Sequence, residues 1–187
     1  MSSLAIIIES LIFTADSPVT LDRLSELLHE YEREEIKKAV AELADSYEER
    51  RGSFHLVEVA GGWQFRTNPM YQQYVTRHIK TRSIKFSPSA LETLAIVAYR
   101  QPVTRTEVEY LRGVDCGGVL KTLLEKKLVR ILGKKDIPGR PLIYGTSKEF
   151  LEIFGLRDLK GLPTLKEIQA LDETHHYEQQ DDLPLGD

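Results

Sequence analysis

Tyr99-Arg100-Gln101-Pro102-Val103-Thr104-Arg105 is the stretch on which the fold turns, because Pro102-Val103-Thr104 repeats Pro18-Val19-Thr20 at an offset of 84 residues. An apolar stripe precedes each copy: Leu4, Ile7, Ile8, Leu11 and Ile12 before the first, Leu91, Leu94, Ala95, Ala98 and Tyr99 before the second. Both follow the i, i+3, i+4, i+7, i+8 spacing that turns one helix face toward a core. A short helix starts after each copy. Thr104 and Glu107 have the spacing of a capping box, in which a hydroxyl and a carboxylate satisfy the unpaired amides of the first turn. Thr20 can cap the earlier helix, although Arg23 cannot complete the box. A repeat of this kind points to two related units.

Working outward, a third helix follows in each unit, carried by Ile36, Val40, Leu43 and Tyr47 and then by Leu120, Leu123, Leu124 and Leu128. The period then changes from 3.6 to 2, which marks strands. His55 to Ala60 and Gln64 to Thr67 flank Gly61-Gly62; Val129 to Leu132 and Leu142 to Thr146 flank a longer turn, Gly133 to Pro141. Asn68-Pro69 and Thr146-Ser147-Lys148-Glu149 then signal further helix starts, the second as a capping box. Three helices followed by a β-hairpin is the winged-helix form of the helix-turn-helix. The expected fold is mainly α with small β-hairpins, two tandem winged-helix domains over residues 1–80 and 87–160. The polar junction 80–85 reads as a linker, and Ser87-Pro88 opens the second domain. Residues 161–187 form a C-terminal extension that ends in an acidic tail, 172–187, expected to be disordered.

For the first hairpin, alternation favours a three-residue loop, Gly61-Gly62-Trp63. That register pairs Val59 with Phe65, Val57 with Thr67 and Glu58 with Arg66, and sets Trp63 near the wing tip.

Composition narrows the function. The 187 residues are 41% hydrophobic and 29% charged, with 12 Gly and 8 Pro, which excludes fibrous and wholly disordered classes. No apolar run nears the ~20 residues of a membrane span, and the residues after Met1 lack the basic start of a signal peptide. A single cysteine, Cys116, forms no intrachain disulfide. The chain reads as a soluble cytoplasmic protein without a membrane partner. The net charge of −4 is uneven: residues 87–160 hold 13 basic and 9 acidic groups, while 172–187 hold 6 acids and no base.

No catalytic, metal-ligating or cofactor-binding set is visible, so the expected protein is not an enzyme and carries no cofactor. The histidines lack ligand spacing to Cys116 or to a carboxylate pair, and His175-His176 lies in the acidic tail. Gly117-Gly118 is not a phosphate loop, since no Lys-Ser/Thr follows and no strand precedes it. Winged helices often bind DNA through the third helix and the wing. Here Glu32 to Arg51 holds seven acids against five bases. Lys121, Lys126, Lys127, Arg130, Lys134, Lys135 and Arg140 could make a basic patch in the second unit, or simply be solvated charges. Helix three of that unit opens Cys116-Gly117-Gly118, without Arg, Asn or Gln to read base edges. Only weak or indirect DNA contact is expected. A winged-helix DNA-binding transcriptional regulator is the alternative reading.

The run Glu92 to Arg105, with Arg112-Gly113-Val114, Pro138-Gly139-Arg140-Pro141-Leu142-Ile143-Tyr144-Gly145-Thr146 and Phe150 to Leu156, resembles the bacterial segregation and condensation protein B family, ScpB. Ile8 to Phe13 and Ala60-Gly61-Gly62-Trp63-Gln64-Phe65 extend the likeness through the first unit, whereas Asp115-Cys116-Gly117-Gly118 departs from it. The resemblance implies a non-enzymatic accessory subunit of the SMC complex. It implies a homodimer formed through the first domain that binds the kleisin ScpA, and through it the SMC ATPase, in chromosome condensation and segregation at the nucleoid. With it, Trp63, Tyr71 and Tyr74 become the candidate dimer interface. Pro138, Gly139, Arg140 and Pro141 become the candidate partner site: two prolines and a glycine hold Arg140 in place. Arg140 then either offers its guanidinium to a partner or braces the wing against an acid of its own domain.

Overall fold

The computed structural model describes residues 2–79, 86–164 and 166–167. The expected linker at 80–85 and the acidic tail with His175-His176 lie outside the described residues. The first unit runs α1 (Ser3–Phe13), β1 (Val19–Thr20), α2 (Leu21–Leu27), α3 (Arg33–Glu49), β2 (Phe54–Val59) and β3 (Gly62–Thr67). A 3₁₀ turn (Pro69–Tyr71) and α4 (Gln72–Ile79) follow. The second runs α5 (Pro88–Arg100), β4 (Val103–Thr104), α6 (Arg105–Arg112), α7 (Gly117–Glu125), β5 (Val129–Lys134), β6 (Leu142–Thr146) and α8 (Lys148–Phe154), then a 3₁₀ turn (Leu159–Gly161). Each unit is three helices against a three-stranded antiparallel sheet, ordered β1-β3-β2 and β4-β6-β5. This is the winged-helix fold, twice. Each Pro-Val-Thr does more than lead into a helix: its Val-Thr pair is the third strand of the sheet, and its threonine caps the helix that follows. Thr20 accepts from the Arg23 amide at 3.2 Å, and Thr104 with Glu107 makes the complete box.

Two cores result, one around Ile8, Leu24, Ile36, Val40 and Leu43, the other around Leu94, Val97, Val108, Leu120, Leu123 and Leu128. In α1 the stripe holds at Leu4, Ile8 and Ile12, with Leu11 packed beside them and Ile7 left at the surface. In α5 the expected phase is wrong by one residue. Ala90, Thr93, Leu94, Val97 and Ala98 face inward, keeping the spacing, while Leu91, Ala95 and Tyr99 face out. The buried hydroxyl of Thr93 is satisfied by the Ser89 carbonyl at 2.8 Å, and the outward Tyr99 hydroxyl donates to the Pro163 carbonyl at 2.6 Å. The cap of α8 also moves by one. Ser147 accepts from the Phe150 amide at 3.1 Å, because Thr146 is buried in β6 and tied to Gln101 at 2.9 Å.

The first hairpin overturns the expected register. Val59 pairs with Gly62, Glu58 with Trp63, Val57 with Gln64 and Leu56 with Phe65, around a two-residue Ala60-Gly61 turn. Both turn residues are left-handed, φ 53° and 73°, which suits the twist of a tight hairpin. The third strand imposes this. Thr20 pairs with Gly62 and Val19 with Trp63, and a Cβ on Gly62 would lie 2.9 Å from the backbone of Pro18 and Val19. Only glycine fits there, so Gly62 belongs to the ladder and Trp63 lies within β3, packed on the core, not at the wing tip. Glu58 and Arg66 consequently find other partners.

Candidate functional site

The second wing extends from the β5–β6 hairpin, which carries a bulge between Ile131 and Gly133. Its loop is closed by backbone bonds from Lys135 to Pro141 at 2.9 Å and from Arg140 to Ile137 at 2.8 Å. Pro138, Gly139 and Arg140 are exposed at the tip and Pro141 is half-buried. Gly139 and Arg140 are both left-handed, φ 83° and 40°. Among the described residues no acid pairs with the Arg140 side chain. The brace is Lys135 instead, whose ammonium lies 2.7 Å from Glu107. That carboxylate also accepts from the Thr104 amide at 2.7 Å and its hydroxyl at 2.8 Å. The Lys135 bond and then the two Thr104 bonds hold the Glu107 pKa down to about 2. One residue thus caps α6 and anchors the wing.

Beside this anchor lies a groove of about 520 Å³, lined by Arg100, Pro102, Val103, Thr106, Glu107, Tyr110 and Leu111. Tyr110 is 86% exposed, and Leu111 and Val114 are also exposed. Sequence reasoning passed over these three. The signal was there: α6 needs only Val108 for the core, so its other large apolar side chains have no inward role.

The expected dimer residues do not form one patch. Trp63 is half-buried at the turn end of β3, while Tyr71 and Tyr74 lie exposed beyond its other end, with Met70. A second apolar surface, again unanticipated, is the outer face of α1, where Ile6 is 53% and Phe13 73% exposed.

Chemistry at Cys116 is unsupported. The residue is fully buried, and desolvation first, then Glu109, pushes its thiol pKa up. A Cβ on the next residue, Gly117, would meet the Arg105 guanidinium at 2.6 Å, the end of a half-exposed side chain that can move aside. Arg105 in turn pairs with Glu109 at 2.6 Å and with Asp115. Among the described residues no cluster of three or more His, Cys, Asp or Glu could hold a metal, and no helix is long and apolar enough to cross a membrane.

Some of the basic side chains are paired within the chain. In α3, Lys37 and Lys38 pair with Glu34 and Glu42 at 3.7 and 3.9 Å, and Arg33 with Asp22 at 2.6 Å. In the second unit Lys121 meets Glu125 at 4.0 Å, and Arg130 donates to the Thr146 carbonyl at 3.2 Å.

Comparison with known proteins identifies the family. Residues 6–165 match the family described as segregation and condensation complex subunit ScpB. A segregation and condensation protein B of Syntrophotalea carbinolica is 53% identical over 165 residues, covering 88% of this chain and 83% of the relative. That of Myxococcus xanthus is 49% identical over 169 residues, covering 90% of this chain but 51% of the relative, so the chain spans about half of that protein's length. Among solved structures, ScpB from Mycobacterium tuberculosis is 34% identical, with 82% of this chain and 95% of that chain covered and a TM-score of 0.38. With the match spanning both winged-helix units and the chain between them, the protein belongs to the ScpB family of segregation and condensation complex subunits.

Proposed function

We propose that the protein is a non-enzymatic accessory subunit of the bacterial SMC complex, acting in the cytoplasm at the nucleoid in chromosome condensation and segregation. It forms a homodimer through its first winged-helix domain, residues 1–80, and the pair binds the kleisin ScpA, through which it reaches the SMC ATPase. No cofactor is involved. The observation that carries this reading is the family match across residues 6–165. The surfaces agree with it, since a binding subunit needs exposed apolar ground, and Ile6, Phe13, Tyr71 and Tyr74 in the first unit and Tyr110 and Leu111 in the second supply it. Dimerisation doubles the valency toward a partner carrying two contact segments.

Arg140 and its neighbours Pro138, Gly139 and Pro141 form one lip of the kleisin site in this reading. Its guanidinium has no acid to brace among the described residues, and the wing is already anchored by Lys135. Affinity capture of the kleisin from the same genome, with wild type and Arg140→Ala, tests the assignment. A weaker kleisin bond at unchanged melting temperature supports it; wild-type capture with a lowered melting temperature refutes it. The dimer is tested by sedimentation at ~10 µM, well above a Kd of 1 µM or about −8 kcal/mol; a monomer there counts against it. A transcriptional regulator would be retained on heparin at rising salt. The acidic, internally paired α3 and the glycine-led α7 weigh against that alternative, and early elution is expected.

A further inference from the structure

The Ala60-Gly61 turn at the tip of the first wing is occupied. In a two-residue hairpin turn the two central amides point away from the ladder and ordinarily meet water. Here the Ala60 amide donates to the Leu156 carbonyl at 2.9 Å and the Gly61 amide to the Arg157 carbonyl at 3.0 Å. The acceptors are consecutive residues of the second unit, just past the left-handed Gly155 cap of α8. Side chains extend the contact on both flanks. Glu58 pairs with Arg157 at 3.2 Å, and Arg66 donates to the Glu152 carbonyl at 2.7 Å. That carbonyl lies in the last turn of α8, where a cation is favoured, and it accepts from the Gly155 amide at 3.3 Å as well. The occupant is shaped in advance, because Leu156 bonds back to Leu151 at 2.8 Å and packs against the second core. Ala60 is buried although it sits at a turn tip.

We propose that the first wing is a protein-docking wing whose occupant is segment 152–157 of the same chain, and that this contact sets the orientation of the two winged-helix units in the partner-free protein. Its recognition chemistry is specific: two parallel amides read two successive carbonyls, a carboxylate reads an arginine, and a guanidinium reads a helix end. The pair of amides that a nucleic-acid phosphate would need is consumed, and Glu58 beside them repels one. The docking is independent of kleisin binding and goes beyond the function proposed above.

Amide hydrogen exchange by NMR on the full chain, together with small-angle X-ray scattering, tests it. Ala60 and Gly61 should exchange at least about tenfold more slowly than the exposed turn amide of Gly139. In the double variant Arg66→Ala, Arg157→Glu that protection should vanish and the scattering profile should broaden, while the amides of Leu43 and Leu123 stay protected and report intact cores. Pairing Glu58→Lys with Arg157→Glu should restore the slow exchange. Unprotected Ala60 and Gly61 amides in the wild type would overturn the proposal. So would a double variant whose protection and scattering match the wild type. Protection that grows with protein concentration would overturn the same-chain assignment and place the occupant on a second copy.

Discussion

Glu107 and Lys135, 28 residues apart in sequence, meet at 2.7 Å and join the first turn of α6 to the base of the second wing. The carboxyl titrates near 2 in the folded chain against an ordinary value of 4.5. A folded pKa below the unfolded one stabilises the fold above about pH 4.5, and the benefit drains away as the pH falls toward 2. Glu107→Gln is expected to lose about 1 kcal/mol at pH 7. That is below the ~1.5–3 kcal/mol of a hydrogen bond to a charged group, since the side chain is 45% exposed and solvent screens it. Thermal unfolding at pH 7 and pH 2.5 checks this: the gap between variant and wild type should be open at the first and nearly closed at the second.

The two glycines of the first wing should differ sharply. Gly62→Ala drives a Cβ to 2.9 Å from the Pro18 backbone and should cost roughly 2 kcal/mol or more, because the third strand must shift. Gly61→Ala has open space around it and pays only for its left-handed φ of 73°, about 1–2 kcal/mol. Urea denaturation of both variants gives the comparison, and a milder effect at Gly62 than at Gly61 would contradict the three-stranded register.

Tyr47 should ionise late. Its ring packs against Phe54 and Phe65, and its hydroxyl donates to Glu9. Burial first, then Glu9, raises its pKa above 10.0. An ultraviolet titration should show a late tyrosine step, and Tyr47→Phe should remove it. Truncation to alanine should cost about 3–5 kcal/mol through the cavity left in the first core.

Cys116 should behave as a core residue. With the thiol fully buried and its pKa raised, a colourless-to-yellow disulfide reagent at pH 8 should leave it unmodified in the native protein and react fully in denaturant. Cys116→Ser buries a hydroxyl in the same place, and a loss of roughly 1–3 kcal/mol is expected by calorimetry.

Much of this fold is local and therefore readable along the chain. Helix stripes, caps such as Ser87-Pro88 and Thr104 with Glu107, and the switch of period at His55 and Val129 depend on residues within one or two turns of each other. The repeated Pro-Val-Thr needs only the chain itself to be seen, and from it the two winged-helix units follow. The absence of a catalytic pattern and the acidic balance of α3 are likewise properties of residue order.

Other features exist only because distant segments meet. The hairpin register could not come from β2 and β3 alone: two apolar alignments compete there, and the contact of β1 with Gly62 chooses between them. The phase of α5 depends on which side chains find partners, Thr93 inside and Tyr99 outside, and one residue of rotation exchanges them without changing the spacing. The groove beside Tyr110 appears when β4 and α6 are brought to the end of α5. Glu58 and Arg66 looked like a cross-strand pair, since the sequence holds no trace of segment 152–157 lying against them. Where an interaction spans a few residues, the order of side chains determines it; where it joins surfaces far apart in the chain, as Arg66 joins Glu152 at a separation of 86 residues, only the packed chain decides.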